Sequence, residues 1–69
     1  MSYQRRKVLQ VLTQYGVIVL REGSNHTILR GPGGRQSSLG RHGELNRITV
    51  RKVVKQLGLD ADQLTKEMQ

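Results

Sequence analysis

The 69-residue chain contains no cysteine, which excludes a disulfide framework and any thiolate metal site. Long apolar runs are missing too: the longest is Val17–Leu20, far short of the ~20 residues that span a bilayer. Polar residues interrupt the apolar positions that follow the basic start Met1–Lys7, so no signal-peptide core is present. We therefore expect one cytoplasmic domain over residues 1–69, with a single core and no membrane contact.

Acidic and aromatic residues are both scarce. Five Asp and Glu stand against twelve Lys and Arg, which gives a net charge of +7 and favours RNA, DNA or an acidic protein as partner. Residues 21–55 carry +6 of this charge, residues 1–20 carry +3, and residues 56–69 carry −2. Neither of the two aromatic residues, Tyr3 and Tyr15, is on a predicted strand, which disfavours base stacking. Binding should therefore depend on phosphates and fall steeply with salt.

Two apolar stripes at helical spacing predict two main helices. The stripes consist of Val8, Val11, Leu12 and Tyr15, and of Val50, Val53, Val54 and Leu57. We predict the first helix over about residues 3–15, with Ser2 as its N-cap and Gly16 at its C-terminal end. The second helix should follow Thr49 as N-cap and end at Gly58.

Three short segments between these helices read as strands. They are Val17–Glu22, His26–Arg30 and Arg35–Leu39. The glycine-rich turns Gly23–Asn25 and Gly31–Gly34 join them, which predicts an antiparallel meander. The second turn joins strand to strand and leads into no helix, so it is interpreted as a hairpin turn rather than a phosphate-binding loop.

The remaining segments complete the predicted architecture. Residues 40–48 are expected to form a polar loop, and Asp60 should cap a short last helix anchored by Leu64 and Met68. The fold class is therefore α+β, an α-β-β-β-α two-layer sandwich. Both main helices should cover one face of a three-stranded antiparallel sheet and leave the other face open.

The period of two along the second strand separates its two faces. His26, Ile28 and Arg30 fall on one face, and Thr27 and Leu29 on the other. Arginine is costly to bury, which predicts that the face with His26 is open to solvent. Ile28 argues for the opposite assignment, since it too would be exposed.

Four short motifs follow one another along the chain. They are Gly-Ser-Asn-His at 23–26, Gly-Gly-Arg at 33–35, Arg-His at 41–42 and Val-Val-Lys-Gln-Leu-Gly-Leu at 53–59. Their order and spacing resemble the HicA (YcfA-like) toxin family over about residues 5–59. The resemblance implies a fold like the double-stranded-RNA-binding domain and cleavage of mRNA without the ribosome. It also implies a bacterial or archaeal cytoplasmic protein whose partner, the HicB antitoxin, masks the active site.

The resemblance also assigns roles to residues. The catalytic histidine of the family ends the Gly-Ser-(Asn or His)-His motif, which makes His26 its counterpart here. A second histidine often lies in the loop after the third strand, where this chain has His42. Members commonly have proline before the Arg-His pair, and this chain departs from that pattern with Gly40.

Elementary chemistry agrees with such a reaction. Attack of a 2′-hydroxyl on the neighbouring phosphate needs a base, an acid and positive charge near the phosphate. Imidazole is suited to proton transfer near neutral pH, and the arginine fork binds two phosphate oxygens. The reaction needs no metal, and two histidines among scattered carboxylates show no metal-ligand spacing. We expect no metal and no small-molecule cofactor.

Several assignments stay open at this point. His42 either transfers a proton or, like Ser24 and Asn25, shapes the site or contacts RNA; Ser24 could also bond only its own turn. Glu44 is either an acid–base partner or simply solvated. The predicted RNA contacts are Arg30, Arg35, Arg41, Arg47, Arg51 and Lys52, whose alternative is a solvated basic surface. Three functions remain: an endoribonuclease, a non-catalytic RNA-binding module, or a basic domain that binds an acidic protein.

Overall fold

The computed structural model describes residues 2–69, and Met1, the first residue of the predicted domain, lies outside the described residues. In chain order the elements are β1 (Ser2–Gln4), α1 (Arg5–Gln14), β2 (Ile18–Glu22), β3 (His26–Arg30), β4 (Gln36–Gly40), β5 (Glu44–Asn46), α2 (Arg47–Gln56) and α3 (Ala61–Met68). Within residues 2–69, no helix has the length and apolar character that crossing a membrane requires.

Strands β2, β3 and β4 form an antiparallel sheet in that order, which confirms the predicted meander. His26 pairs with Gly40 at one end of the β3–β4 ladder, and Arg30 pairs with Gln36 at the other. Strand β2 is an edge strand whose five residues are all exposed, and its register with β3 shifts between Val19 and Arg21.

The two faces of this sheet differ as predicted. Thr27 and Leu29 are fully buried on β3, whereas His26 and Arg30 are exposed and Ile28 is half-buried between them. Both main helices reach the buried face. On α2 the Gln56 carboxamide oxygen accepts a hydrogen bond from a β4 serine, and a side chain of α1 bonds to Thr27. The face that carries His26 is therefore the open one.

The helices pack through the predicted stripes. Val8, Val11 and Leu12 of α1 and Val50, Val53, Val54 and Leu57 at α2 are buried in one core with Leu29 and Leu39 of the sheet. Helix α3 packs against both α1 and α2 and adds Leu64 and Met68 to this core. The φ angles of Gly16 and Gly58 are 88° and 82°, the left-handed conformation in which glycine ends a helix.

Asp60 caps α3 as predicted. Its carboxylate accepts hydrogen bonds from the backbone N–H groups of Asp62 at 3.0 Å and Gln63 at 3.2 Å. These two N–H groups have no partner inside the helix, so the aspartate satisfies them where the chain enters the last helix.

A second, two-stranded sheet was not predicted. Strands β1 and β5 pair antiparallel, with Tyr3 opposite Leu45 and both side chains buried. The prediction of Ser2 as N-cap is wrong, because Ser2 lies in β1 and α1 begins at Arg5. The prediction of a polar loop over residues 40–48 is also wrong in part, since β5 and the start of α2 lie within it.

The N-cap of α2 differs from the prediction as well. Asn46, not Thr49, accepts the hydrogen bonds of the first turn, from the N–H groups of Ile48 at 2.8 Å and Thr49 at 3.4 Å. Asn46 is the last residue of β5, so its extended backbone and short amide suit the cap position. Helix α2 therefore begins at Arg47, directly after β5 and nearer the N-terminus than predicted.

Candidate active site

His26 is the first residue of β3 and directly follows the turn Gly23–Asn25. The Gly23 N–H closes this turn by donating to the His26 carbonyl oxygen at 2.8 Å. A Cβ at Gly23 would lie 3.0 Å from that oxygen, so a side chain there would crowd the turn. The turn presents His26 to solvent at one end of the open face.

A cavity of about 440 Å³ opens beside this histidine, and we name it the central cavity. It is lined by Ser24, Asn25, His26, Gly40, Arg41 and His42. Because His26 pairs with Gly40, the residues that follow Gly40 arrive next to His26. The His42 ring lies against Gly40, where an added Cβ would be 3.6 Å from His42 Cδ2. The four residues predicted as catalytic or site-shaping thus meet in one place.

Arg5 joins the two segments that carry the histidines. Its Nε donates to the Gly40 carbonyl at 3.1 Å and its backbone N–H donates to the Gly43 carbonyl at 2.8 Å. Its Nη2 donates to the hydroxyl of Thr27, which in turn donates to Glu22 Oε1. Arg5 Nη2 also lies 3.5 Å from Glu22 Oε1. Arg5, Glu22 and Thr27 form what we name the polar network.

Arg41 connects this network to the turn before His26. Its Nη1 donates to the Gly23 carbonyl at 2.8 Å and lies 3.9 Å from Glu22 Oε1. The pKa of the Glu22 carboxyl lies below its ordinary value, mainly because the Thr27 hydroxyl donates to it and then because Arg41 and Arg5 are close. The carboxylate therefore stays charged near neutral pH and keeps both arginines as partners.

Residues 5–59 match the family model described as the HicA toxin of bacterial toxin–antitoxin systems. That range covers most of the 69-residue chain. The chain belongs to the HicA toxin family. Membership makes it a toxin of a toxin–antitoxin system, which has an antitoxin as partner. The matched range contains the polar network and the central cavity and leaves out β1 and α3. Among curated proteins, a comparison finds none that matches.

The basic residues of this HicA toxin do not form one cluster. Of the six predicted RNA contacts, Arg41 alone lines the central cavity. Arg30 is at the opposite end of β3 from His26, with its Cα about 14 Å away at the ~3.4 Å rise of a strand. Arg35 lies beside the end of α2, since an added Cβ on Gly58 would be 3.3 Å from its Cδ.

The predicted contacts on α2 belong to the helical layer, on the buried side of the sheet. The guanidinium of Arg47 stacks over the Tyr3 ring, 4.8 Å from its centroid. Arg51 Nη2 pairs with Asp62 Oδ1 at 2.8 Å, and this pair keeps the pKa of Asp62 below its ordinary value. Lys52 is exposed on the same helix. These three side chains are therefore not brought to the central cavity.

Sequence reasoning missed the polar network. Arg5 lies outside the apolar stripe of the predicted first helix, and Glu22 lies at the end of a predicted strand, so neither position indicates a shared site. Thr27 offered a signal, because a hydroxyl on the buried face of a strand needs hydrogen-bond partners. The structure shows what the network does: through Arg5 it ties Thr27, the neighbour of His26, to Gly43, the neighbour of His42.

The cavity presents imidazole and guanidinium groups to solvent with no carboxylate among its lining residues. It suits an anion, and a phosphate would find hydrogen-bond donors there. In residues 2–69, no three His, Cys, Asp or Glu side chains lie together as metal ligands would.

Proposed function

We propose that this toxin is a metal-independent endoribonuclease that cleaves mRNA and uses His26 for proton transfer. In the reaction, the 2′-oxygen of a ribose attacks the adjacent phosphorus while its proton passes to a base. The bond from phosphorus to the 5′-oxygen breaks, and that oxygen takes a proton from an acid. The products are a 2′,3′-cyclic phosphate and a 5′-hydroxyl.

One observation carries the proposal: His26, His42 and Arg41 line a single solvent-open cavity. Imidazole gains and loses a proton near neutral pH, so two of them can supply both the base and the acid. Arg41 uses one N–H on Gly23 and keeps others for a phosphate. Its positive charge would stabilise the extra negative charge of the transition state.

Four further residues, all predicted from the sequence, would contact RNA without transferring protons. We propose that Ser24 and Asn25 shape the turn and contact the phosphate group, since both are exposed beside His26. Arg30 and Arg35 would contact phosphates beyond the cleaved bond, because they lie toward the far end of the sheet.

A defined, end-labelled RNA tests the reaction. Purified toxin in excess chelator should cut it and leave 2′,3′-cyclic phosphate ends. Replacing the ribose at the cleaved position by deoxyribose should stop the cut at that position. Cleavage that disappears with chelator and returns with a divalent metal would contradict the metal-independent reaction.

A second candidate is an RNA-binding module that does not cut. One observation favours it: among residues 2–69, no side-chain hydrogen bond orients His26 or His42, although a partner group usually positions a catalytic imidazole. If wild-type protein and His26→Ala both bind clean RNA and neither cuts it, this candidate replaces the endoribonuclease.

We propose that a HicB-type antitoxin inhibits the toxin by covering the central cavity. The net charge of +7 suits a partner with an acidic surface, whether it is RNA or protein. In a titration, the antitoxin should displace labelled RNA from the His26→Ala variant. A stable ternary complex of toxin, antitoxin and RNA would contradict this mode of inhibition. Binding of the antitoxin without any binding of RNA would support the basic domain with a protein partner.

A further inference from the structure

Two more concave regions adjoin the central cavity. One, of about 370 Å³, continues along the open face and shares Ser24, Asn25 and His26 with it; Arg21 and Ser38 also line it. The other, of about 750 Å³, lies at the start of α1 and shares Arg41 with it. We name this second region the helix-side cavity. Shared lining residues place the three regions next to one another, and we name them together the groove; His26 lines the central cavity and the region on the open face.

The helix-side cavity is strongly basic. It is lined by Gln4, Arg5, Arg6, Leu9, Arg41, Gly43 and Glu44. Glu44 is the one carboxylate in that lining, and it accepts a hydrogen bond from the Ser2 hydroxyl at 2.6 Å. The first turn of α1 contains no acidic residue, and of the three arginines only Arg5 and Arg41 lie within ion-pair distance of a carboxylate, that of Glu22.

The arginines of this cavity are not equivalent. Arg5 bonds to Thr27 and Gly40, and Arg41 bonds to Gly23. Arg6 is exposed and makes no side-chain hydrogen bond or ion pair with the residues described, 2–69. Its guanidinium is therefore free to take an external anion.

We propose that the helix-side cavity is an RNA subsite, in which Arg6 binds a backbone phosphate on one side of the cleaved bond. The inference rests on the proposed function, because the RNA must pass His26 for its flank to reach Arg6. Proteins bind the backbone of a single strand in basic grooves, and the lining of this cavity has no aromatic side chain on which a base could stack. The subsite therefore contributes affinity with little sequence preference.

Salt dependence of RNA binding tests the subsite. In the His26→Ala background, which keeps the RNA intact, Arg6→Gln is compared with Lys66→Gln, an equal charge change on α3 outside the groove. One lost phosphate contact lowers the log–log salt slope by about 0.7 for a single strand. The loss of affinity between about 50 and 200 mM salt should then be about 2.6-fold smaller for Arg6→Gln. Lys66→Gln should keep the parent slope.

Oligonucleotides that extend to only one side of the cleaved bond provide a second test. With wild-type His26, Arg6→Gln should raise KM for RNAs extended to one particular side and leave KM unchanged for RNAs extended to the other. Equal slopes for Arg6→Gln and Lys66→Gln, with no side-dependent KM, would overturn the subsite while cleavage itself stands. Wild-type protein that neither binds nor cuts RNA would instead overturn the proposed function.

Discussion

Replacing Thr27 by valine removes one hydroxyl from the middle of the polar network and leaves the size of the side chain nearly unchanged. Thr27 is fully buried, accepts a hydrogen bond from Arg5 and donates one to Glu22. Valine can do neither. The substitution therefore removes the link between the first helix and the strand that begins with His26.

The cost follows from the exposure of the two partners. Arg5 keeps a side-chain exposure of 19%, so water only partly replaces its lost bond, and a hydrogen bond to a charged group contributes about 1.5–3 kcal/mol. Glu22 is 49% exposed, so water replaces most of its lost bond, and the bond of Arg5 dominates the cost. A loss of about 2 kcal/mol lowers Tm by roughly 8–16 °C in a domain of this size.

Thr27→Ser is the matched control, because it keeps the hydroxyl and removes a methyl group worth about 1 kcal/mol. Thermal and urea unfolding of both variants and wild type should rank wild type first, serine second and valine last. Cleavage should fall further for valine than its stability alone explains, since the histidine-bearing segments lose one of the contacts that hold them together. A valine variant as stable as the serine variant would refute the reasoning.

Three more outcomes follow from the structure. A Cβ on Gly31 would lie 2.5 Å from the Leu57 backbone oxygen at the end of α2. Gly31→Ala should therefore lower the free energy of unfolding, measured in urea, by about 1–3 kcal/mol. The control Gly33→Ala, whose added Cβ would have nothing within 4 Å, should lower it far less. The lowered pKa of Glu22 means that its contribution to stability is present above the unfolded pKa and is lost as pH falls through the folded one. Glu22→Gln should therefore reduce the loss of stability as pH falls below the ordinary glutamate value of 4.5, and an unchanged acid slope in urea unfolding would contradict this. Arg47→Met keeps an apolar side chain over the Tyr3 ring and removes the positive charge. The free energy of unfolding, followed by thermal unfolding, should fall by about 0.5–1 kcal/mol. An unchanged Tm would exclude a cation–π contribution.

The sequence predicted those parts of the fold that local patterns encode. Apolar stripes marked the cores of α1 and α2, and Gly16 and Gly58 marked their ends because only glycine takes positive φ cheaply. Strands β1 and β5 have three residues each, too few for a visible alternation. Their pairing joins residues 40 to 44 positions apart, which no local pattern specifies.

In the candidate site too, local patterns predicted some of the contacts, and the others depend on residues that are distant in sequence. His26 and His42 meet because the β3–β4 hairpin, predicted from its turn, sets His26 opposite Gly40. The partners of the arginines come from segments distant in sequence: Arg47 of α2 stacks on Tyr3 of β1, and the Arg5 side chain bonds to Gly40 at the end of β4. Charge along the sequence predicted a polyanion as the class of partner but did not show which cations line the groove.

The single-turnover rate of RNA cleavage at saturating protein tests the central claim most directly. Removing a general acid or base costs about 10²–10⁴-fold in rate, so His26→Ala should cut at least about 100-fold more slowly than wild type. Its RNA affinity and its Tm should stay near the wild-type values, because His26 is exposed and takes part in no side-chain hydrogen bond within residues 2–69. A folded His26→Ala variant that cuts the same RNA at the wild-type rate would contradict the assignment of His26.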